Sequence, residues 1–199
     1  MNRVFTGALL AALVSVPVFA ALKQGDTAPD FSAKASLAGK EISFSLKDAL
    51  KKGPVVVYFY PSAFTGGCNL QAHTFSENKE QFDSAGATII GVSGDSLERL
   101  NAFSADPQYC AGKFAVASDA DGSIAKSYDL KSGTAPAGMK DTRGVVVDHA
   151  LIERTTFVIA PDGKILATLS SAADKISPAD HVAKALDVVQ TWRKSGAKD

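Results

Sequence analysis

Three runs of apolar, β-branched and aromatic residues stand out along the chain: Val55–Tyr60, Ala87–Val92 and Thr155–Ala160. Each is apolar at successive rather than alternate positions, the pattern of a strand buried on both faces. Between the first two, Asn69 to Phe82 sets Leu70, Ala72, Phe75 and Phe82 among polar residues, over a length that suits a crossover helix. Ser93-Gly94-Asp95-Ser96 then supplies turn and cap residues, and Leu97, Leu100, Ala102 and Phe103 predict a second helix. Phe114–Ala117 is a shorter apolar patch, after which Ser118–Gly122 opens a short helix through Ile124 and Tyr128. Lys131–Gly144, rich in Gly, Thr, Pro and Ala, reads as a loop. Ala160-Pro161-Asp162-Gly163-Lys164 is a turn leading into a strand at Ile165–Leu169, so a hairpin is expected there. Finally, Pro178–Arg193 puts Val182, Ala185, Leu186, Val189 and Trp192 on one helical face, with Ser177 and Asp180 near its start. Strand-helix-strand units followed by a hairpin and a helix predict a three-layer α/β domain around a mixed sheet, with no internal repeat or linker.

Residues 1–20 obey a different pattern. Arg3 precedes an apolar stretch from Ala8 to Phe19 that ends in Val18-Phe19-Ala20. This is the composition of a cleaved secretory signal peptide, shorter than the roughly 18 apolar residues a membrane span needs; a retained membrane anchor is the alternative. The expected mature protein is therefore one domain, residues 21–199, exported and in a bacterial-type cell periplasmic. Charge narrows its partners: Lys and Arg number 21, as do Asp and Glu. A near-neutral surface gives no electrostatic footprint for nucleic acid or for a membrane after leader cleavage, which leaves small molecules and proteins.

Only two cysteines are present, Cys68 and Cys110. In an oxidising compartment they are free to pair, and an inert structural bridge is one reading of them. The position of Cys68 suggests another. It lies just past Thr65-Gly66-Gly67, where the first central strand hands over to its helix. The first amide groups of a helix lack intrahelical partners and, with the helix dipole, favour an anion. A cysteine with an ordinary pKa of about 8.5 is only ~3 % thiolate at pH 7, whereas one lowered to about 6 is ~90 % thiolate. The thiolate is the form that attacks electrophilic sulfur or oxygen.

Pro61, Thr65 and Cys68 reproduce the Pro-x-x-x-Thr-x-x-Cys signature of the peroxiredoxins, and the chain resembles that family from Gly25-Asp26-Thr27-Ala28-Pro29-Asp30-Phe31 to its last helix. Tyr58-Phe59-Tyr60 and Glu153-Arg154-Thr155-Thr156-Phe157 are similar to its catalytic and arginine-bearing strands. The resemblance implies a thioredoxin fold, with a mixed central sheet flanked by helices on both faces. It also implies that Cys68 attacks a peroxide to give a sulfenic acid. Thr65 would hydrogen-bond thiolate and peroxide, Pro61 would shield the pocket from water, and Arg154 would stabilise the thiolate and polarise the O–O bond. Taken singly, each residue has a plainer reading: a turn at Thr65-Gly66-Gly67, a strand end at Pro61, an exposed strand arginine at Arg154.

Within the family the chain looks most similar to the peroxiredoxin Q, or bacterioferritin comigratory protein, group, being compact and without a long C-terminal arm. Some members of that group carry a resolving cysteine five residues after the nucleophile, where this chain has His73; others carry it on the next helix, and Cys110 lies just beyond Phe103-Ser104-Ala105-Asp106-Pro107-Gln108-Tyr109. That implies attack of Cys110 on the Cys68 sulfenic acid, an internal disulfide, and reduction by a thioredoxin-like or other dithiol. Asp106-Pro107 marks a helix break beside Cys110, so a movable segment is expected there; a bystander Cys110 in a one-cysteine enzyme is the alternative. The chain departs from the group at Asn69, at Gln71 in place of a common glutamate, near Cys110, and between Lys131 and Ala150. A monomer or weak dimer is expected.

His73, His149 and His181 have no metal-ligand spacing with either cysteine, although His73 could line the site. Asp119, Asp121 and Gly122 lack the late glutamate of a calcium loop and read as a helix-capping turn. With no phosphate loop or dinucleotide fingerprint, no cofactor is expected. Two other functions fit parts of the pattern. A thioredoxin-like disulfide oxidoreductase wants a Cys-x-x-Cys pair that Gly66-Gly67-Cys68 does not supply, and a non-catalytic binding domain would use Cys68 and Cys110 as a structural bridge.

Overall fold

A computed structural model describes residues 21–196; the expected signal peptide, residues 1–20, lies outside them. The elements run β1 (Ser32–Leu37), β2 (Lys40–Ser45), α1 (Leu46–Leu50), β3 (Val55–Phe59), α2 (Gly66–Glu77), α3 (Lys79–Ser84), β4 (Thr88–Ser93), α4 (Leu97–Ala105), β5 (Ala115–Ser118), α5 (Ser123–Ser127), β6 (Ser132–Thr134), β7 (Ala150–Ile152), β8 (Thr155–Ile159), β9 (Ile165–Ser170), α6 (Ser171–Asp174) and α7 (Pro178–Lys194). The main sheet has seven strands in the order β2-β1-β5-β4-β3-β8-β9. β3, β4 and β5 are mutually parallel, while β1 and β8 join them antiparallel, so the sheet is mixed as expected. The arrangement is a thioredoxin fold.

The strand pleat divides the core in two. From β3, Val56 and Tyr58 enter one cluster with Phe75 and Phe82, Leu100 and Phe103, and Val182, Ala185 and Val189 of α7. Val55, Val57 and Phe59 point to the opposite face and meet Leu46, Ile124, Tyr128 and Phe157. Alternating residues of one strand thus feed two helix layers, which is why the run had to be apolar throughout.

The predicted Asn69–Phe82 helix starts earlier, at Gly66, and is broken at Asn78, whose backbone leaves the helical region and whose amide group donates to the Thr74 carbonyl. The Asp119 carboxylate accepts the Ile124 and Ala125 amides at 2.9 and 2.8 Å, the capping role expected of it. Lys131–Gly144 corrects the expectation of a loop. Its Ser132–Thr134 segment pairs with Ala150–Ile152 as a two-stranded ribbon, and a second small hairpin bridges Lys140 to Val146 at the tip. Loop composition hid this because the strand positions are Ser, Gly and Thr, all exposed.

The segment before β1 runs beside β9, an edge strand of the sheet. Gly25 donates to the Ile165 carbonyl and Ile165 to the Asp26 carbonyl, both at 2.9 Å, and Thr168 Oγ1 donates to the Leu22 carbonyl at 2.7 Å.

Candidate active site

β3 ends at Phe59, and Tyr60-Pro61-Ser62-Ala63-Phe64-Thr65 forms the turn that delivers the chain to α2. Thr65 is the N-cap residue, so Cys68 falls in the first turn of the helix, where unpaired amides and the dipole favour negative charge. The thiol is almost fully buried, 2 % exposed. Across from it, just before β8, Arg154 donates Nη2 to Cys68 Sγ at 3.2 Å and Nη1 to Gln71 Oε1. Gln71, one helical turn on from Cys68, is fully buried and holds the guanidinium in register. As a neutral amide it leaves the arginine's charge uncancelled, directed at the sulfur. Gly67 makes room for this contact, since a Cβ there would lie 3.2 Å from Arg154 Nη2.

Thr65 Oγ1 donates to the Ser62 carbonyl at 2.7 Å, which commits its proton and leaves its lone pairs open. Pro61 is half-buried at the start of the turn. Phe64 adopts φ 60°, a region a non-glycine residue occupies only when its surroundings fix it. Those surroundings come from the 131–152 excursion: Thr142 donates both its amide and its hydroxyl to the Phe64 carbonyl at 2.9 Å, and the Arg143 guanidinium lies 3.3 Å from the centre of the Phe64 ring.

Beneath the turn sits a polar hub that the sequence did not disclose. The Asp95 carboxylate, fully buried, accepts from the Ala63 amide at 2.8 Å, Ser93 Oγ at 2.7 Å, Arg99 Nε at 2.8 Å and Ser62 Oγ at 3.1 Å, with His149 Nε2 2.8 Å away. Burial pushes the Asp95 carboxyl up, but the hydrogen bond and charge of His149, with the Ala63 amide and Ser93, outweigh it and hold the group below its ordinary range. Arg99 continues the network to the Ala63 carbonyl at 2.9 Å and to Asp141 at 2.8 Å. Ser93-Gly94-Asp95-Ser96 looked like turn and cap residues, and Ser96 is indeed the cap of α4. No local signal joins Asp95 to His149; the only hint was an acidic residue directly after a buried strand.

Cys110 lies in the irregular stretch after α4, which ends at Ala105 with Asp106 as its cap. It belongs to the same core cluster as Cys68, and both are free thiols. Burial, reinforced by Asp106, pushes the Cys110 thiol well above the ordinary cysteine range, so it rests protonated. The His73 ring is exposed and bonds to the Gln108 carbonyl and Glu77. This contact ties α2 to the stretch that carries Cys110.

His181 is buried between Thr156 Oγ1 at 3.0 Å and Ser171 Oγ at 2.9 Å. Burial and then the Arg154 charge push its pKa down to about 4, so it stays neutral behind the arginine. An unfolded histidine binds its proton near pH 6.5, before the folded one does. Stability from this group is therefore complete above about pH 6.5 and falls as pH drops toward 4, by up to about 3 kcal/mol. Urea unfolding across that range should show the slope, and His181→Gln should flatten it.

A thiol held against a guanidinium at the start of a helix, at the carboxyl end of a central strand, suits two-electron attack on a peroxide bond, and the protein is a thiol-dependent peroxidase. A sequence model of the AhpC/TSA family matches residues 24–168, and the chain belongs to that family, the peroxiredoxins. It is 30 % identical to the chloroplastic peroxiredoxin Q of Sedum lineare over 88 % of this chain and 82 % of that protein. It is 31 % identical to the peroxiredoxin Bcp of Escherichia coli K12 over 88 % of this chain and 98 % of that one. Among solved structures, peroxidoxin BcpB of Mycobacterium tuberculosis aligns with a TM-score of 0.70 and 29 % identity, covering 85 % of this chain and 97 % of that structure.

Proposed function

We propose that Cys68 is the peroxidatic nucleophile, that Cys110 resolves it, and that a thioredoxin-like or other dithiol reduces the resulting disulfide. The observation that carries the reading is the 3.2 Å contact of Arg154 Nη2 with Cys68 Sγ in the first turn of α2. The Cys68 thiolate attacks one peroxide oxygen; the O–O bond breaks, sulfur is oxidised to sulfenic acid, and the other oxygen leaves as water or an alcohol after taking a proton. Arg154 and the helix amides stabilise charge as it builds on the departing oxygen. Thr65, its proton committed to Ser62, accepts from the peroxide, and Pro61 limits water entry.

In the second step Cys110 loses its proton, its sulfur attacks the Cys68 sulfenic sulfur, and hydroxide leaves to be protonated to water. Cys110 reaches a reactive state only when its stretch moves into a wetter environment, because its thiol is neutral where it rests. The irregular backbone from Asp106 onward, with Ala111 at φ 52°, is a suitable place for that movement. The leader-like residues 1–20 support an exported, periplasmic setting in which the reductant is itself an exported dithiol.

The test is Cys110→Ser with one equivalent of peroxide and no reductant. Mass analysis should find sulfenic acid trapped on Cys68 in the variant and an internal Cys68–Cys110 disulfide in the wild type. Turnover of the variant with a dithiol unable to reduce sulfenic acid directly should fall at least about tenfold. Equal turnover would make Cys110 a bystander.

A further inference from the structure

We propose that His149 is a positioning residue: a His149–Asp95 ion pair latches the 131–152 excursion onto the catalytic turn, and peroxide attack by Cys68 is fast only while that latch is closed. The inference rests on Cys68 being the reacting thiol. Nδ1 lies 2.9 Å from the Ala150 carbonyl, which only accepts, and Nε2 lies 2.8 Å from Asp95 Oδ1, a carboxylate oxygen that only accepts, and 3.1 Å from Ser62 Oγ, whose proton goes to that same carboxylate oxygen. Protons on both nitrogens satisfy both acceptors at once, so the imidazolium is the form that fits. Burial works against that charge, but the bond to Asp95, the Asp95 charge and the Ala150 carbonyl together raise the His149 pKa above its ordinary value.

The charged groups around the ring are Asp95, Arg99 on α4, and, through Arg99, Asp141 with its partner Arg143. Arg99 opposes the imidazolium and Asp95 supports it. The backbone beside Asp95 is shaped to seat His149. Gly94, beside Asp95, leaves the space through which the excursion passes: a Cβ there would lie 2.8 Å from the Ala150 carbonyl oxygen and 2.9 Å from His149 Nδ1.

From Asp95 the connection to the sulfur is short. Asp95 fixes the Ala63 amide and the Ser62 hydroxyl; the Ser62 carbonyl receives the Thr65 hydroxyl; Thr65 is the N-cap residue of α2, whose first turn holds Cys68. The excursion grips the same turn a second time through Thr142 and Arg143 on Phe64, the residue with the left-handed backbone. When His149 loses its charge, the ion pair with Asp95 is lost, and the excursion is held to the turn by the Thr142 and Arg143 contacts on Phe64 and by Asp141 through Arg99, which also binds the Ala63 carbonyl.

The test uses wild type, His149→Gln and Gly94→Ala. Three readings are taken from pH 5.5 to 9: the His149 ring titration by NMR, the Ala63 amide protection corrected for intrinsic exchange, and the second-order rate of Cys68 oxidation by hydrogen peroxide, quenched and read by mass. In wild type, protection and oxidation rate should both fall about tenfold, relative to the thiolate fraction, across the His149 titration, in keeping with loss of one charge-assisted hydrogen bond. His149→Gln should lose that step and run at the slower level throughout, and Gly94→Ala should show the slower level while His149 still titrates. Identical pH profiles in wild type and His149→Gln overturn the proposal, as does Ala63 protection that falls without the rate following it. Unoxidised Cys68 in peroxide-treated wild type overturns the assignment of the thiol, and the proposal with it, whereas unchanged Ala63 protection overturns the latch alone.

Discussion

Cys68→Ser protein is expected to consume peroxide no faster than the dithiol reductant does by itself, a loss of at least about a thousandfold, or roughly 4 kcal/mol of barrier. Serine is close to cysteine in size and would keep the contact with Arg154, so the fold should survive: the site loses a polarisable sulfur nucleophile and gains a poorly nucleophilic hydroxyl. No other group can stand in. Cys110 is fully buried and its thiol is held in the neutral form. Peroxide loss followed with a chemical dithiol, beside a thermal melt to show that the variant is folded, decides the point; retention of a tenth of the activity would place the chemistry elsewhere.

The next largest effect should come from Arg154→Ala. The guanidinium is the cationic donor at the sulfur, and loss of one preorganised donor to developing charge costs about 10²–10³ in rate, near 3–4 kcal/mol. Gln71 would also lose its partner, and its Nε2 already lacks one. Arg154→Lys is expected to recover only a small part, because an ammonium cannot bond the sulfur and the Gln71 carbonyl together in one rigid plane. The quenched rate of Cys68 oxidation under single turnover is the proper measure, since it excludes reduction and resolution. A variant within threefold of wild type would reduce Arg154 to a structural contact.

The parts of this molecule that could be read from the chain are those where one local pattern has one physical cause. β3, β4 and β8 are buried on both faces and so are apolar along most of their length, with small buried polar residues only at Ser93, Thr155 and Thr156. The β1–β2 hairpin left little trace. It stands at the side of the sheet, Ser32–Leu37 is half polar, and its two-residue turn puts Ala38 at φ 51° before Gly39 at φ 77°. An alanine in that conformation gives none of the Asn-Gly or Asp-Gly signal that marks such turns. Thr65 and Cys68 were legible together because a strand end and a helix start fix their relation in sequence as well as in space, whereas Arg154, far along the chain, came only with the resemblance to the family. Asp95 and His149 were not: one lies in the connection after β4 and the other in an excursion whose path only the folded sheet determines.

The stretch at residues 22–28 bears on how this protein should be handled. Its backbone bonds to Ile165, and that of Leu22 to Thr168, clothe part of an edge strand whose free groups would otherwise be open to pairing with another chain. A truncation that removed residues through Asp26 would strip that cover, and the cost would be read first as aggregation on storage rather than as lost activity. Purification tags are thus better carried beyond α7, at the far end of the chain from the segment that shields the sheet.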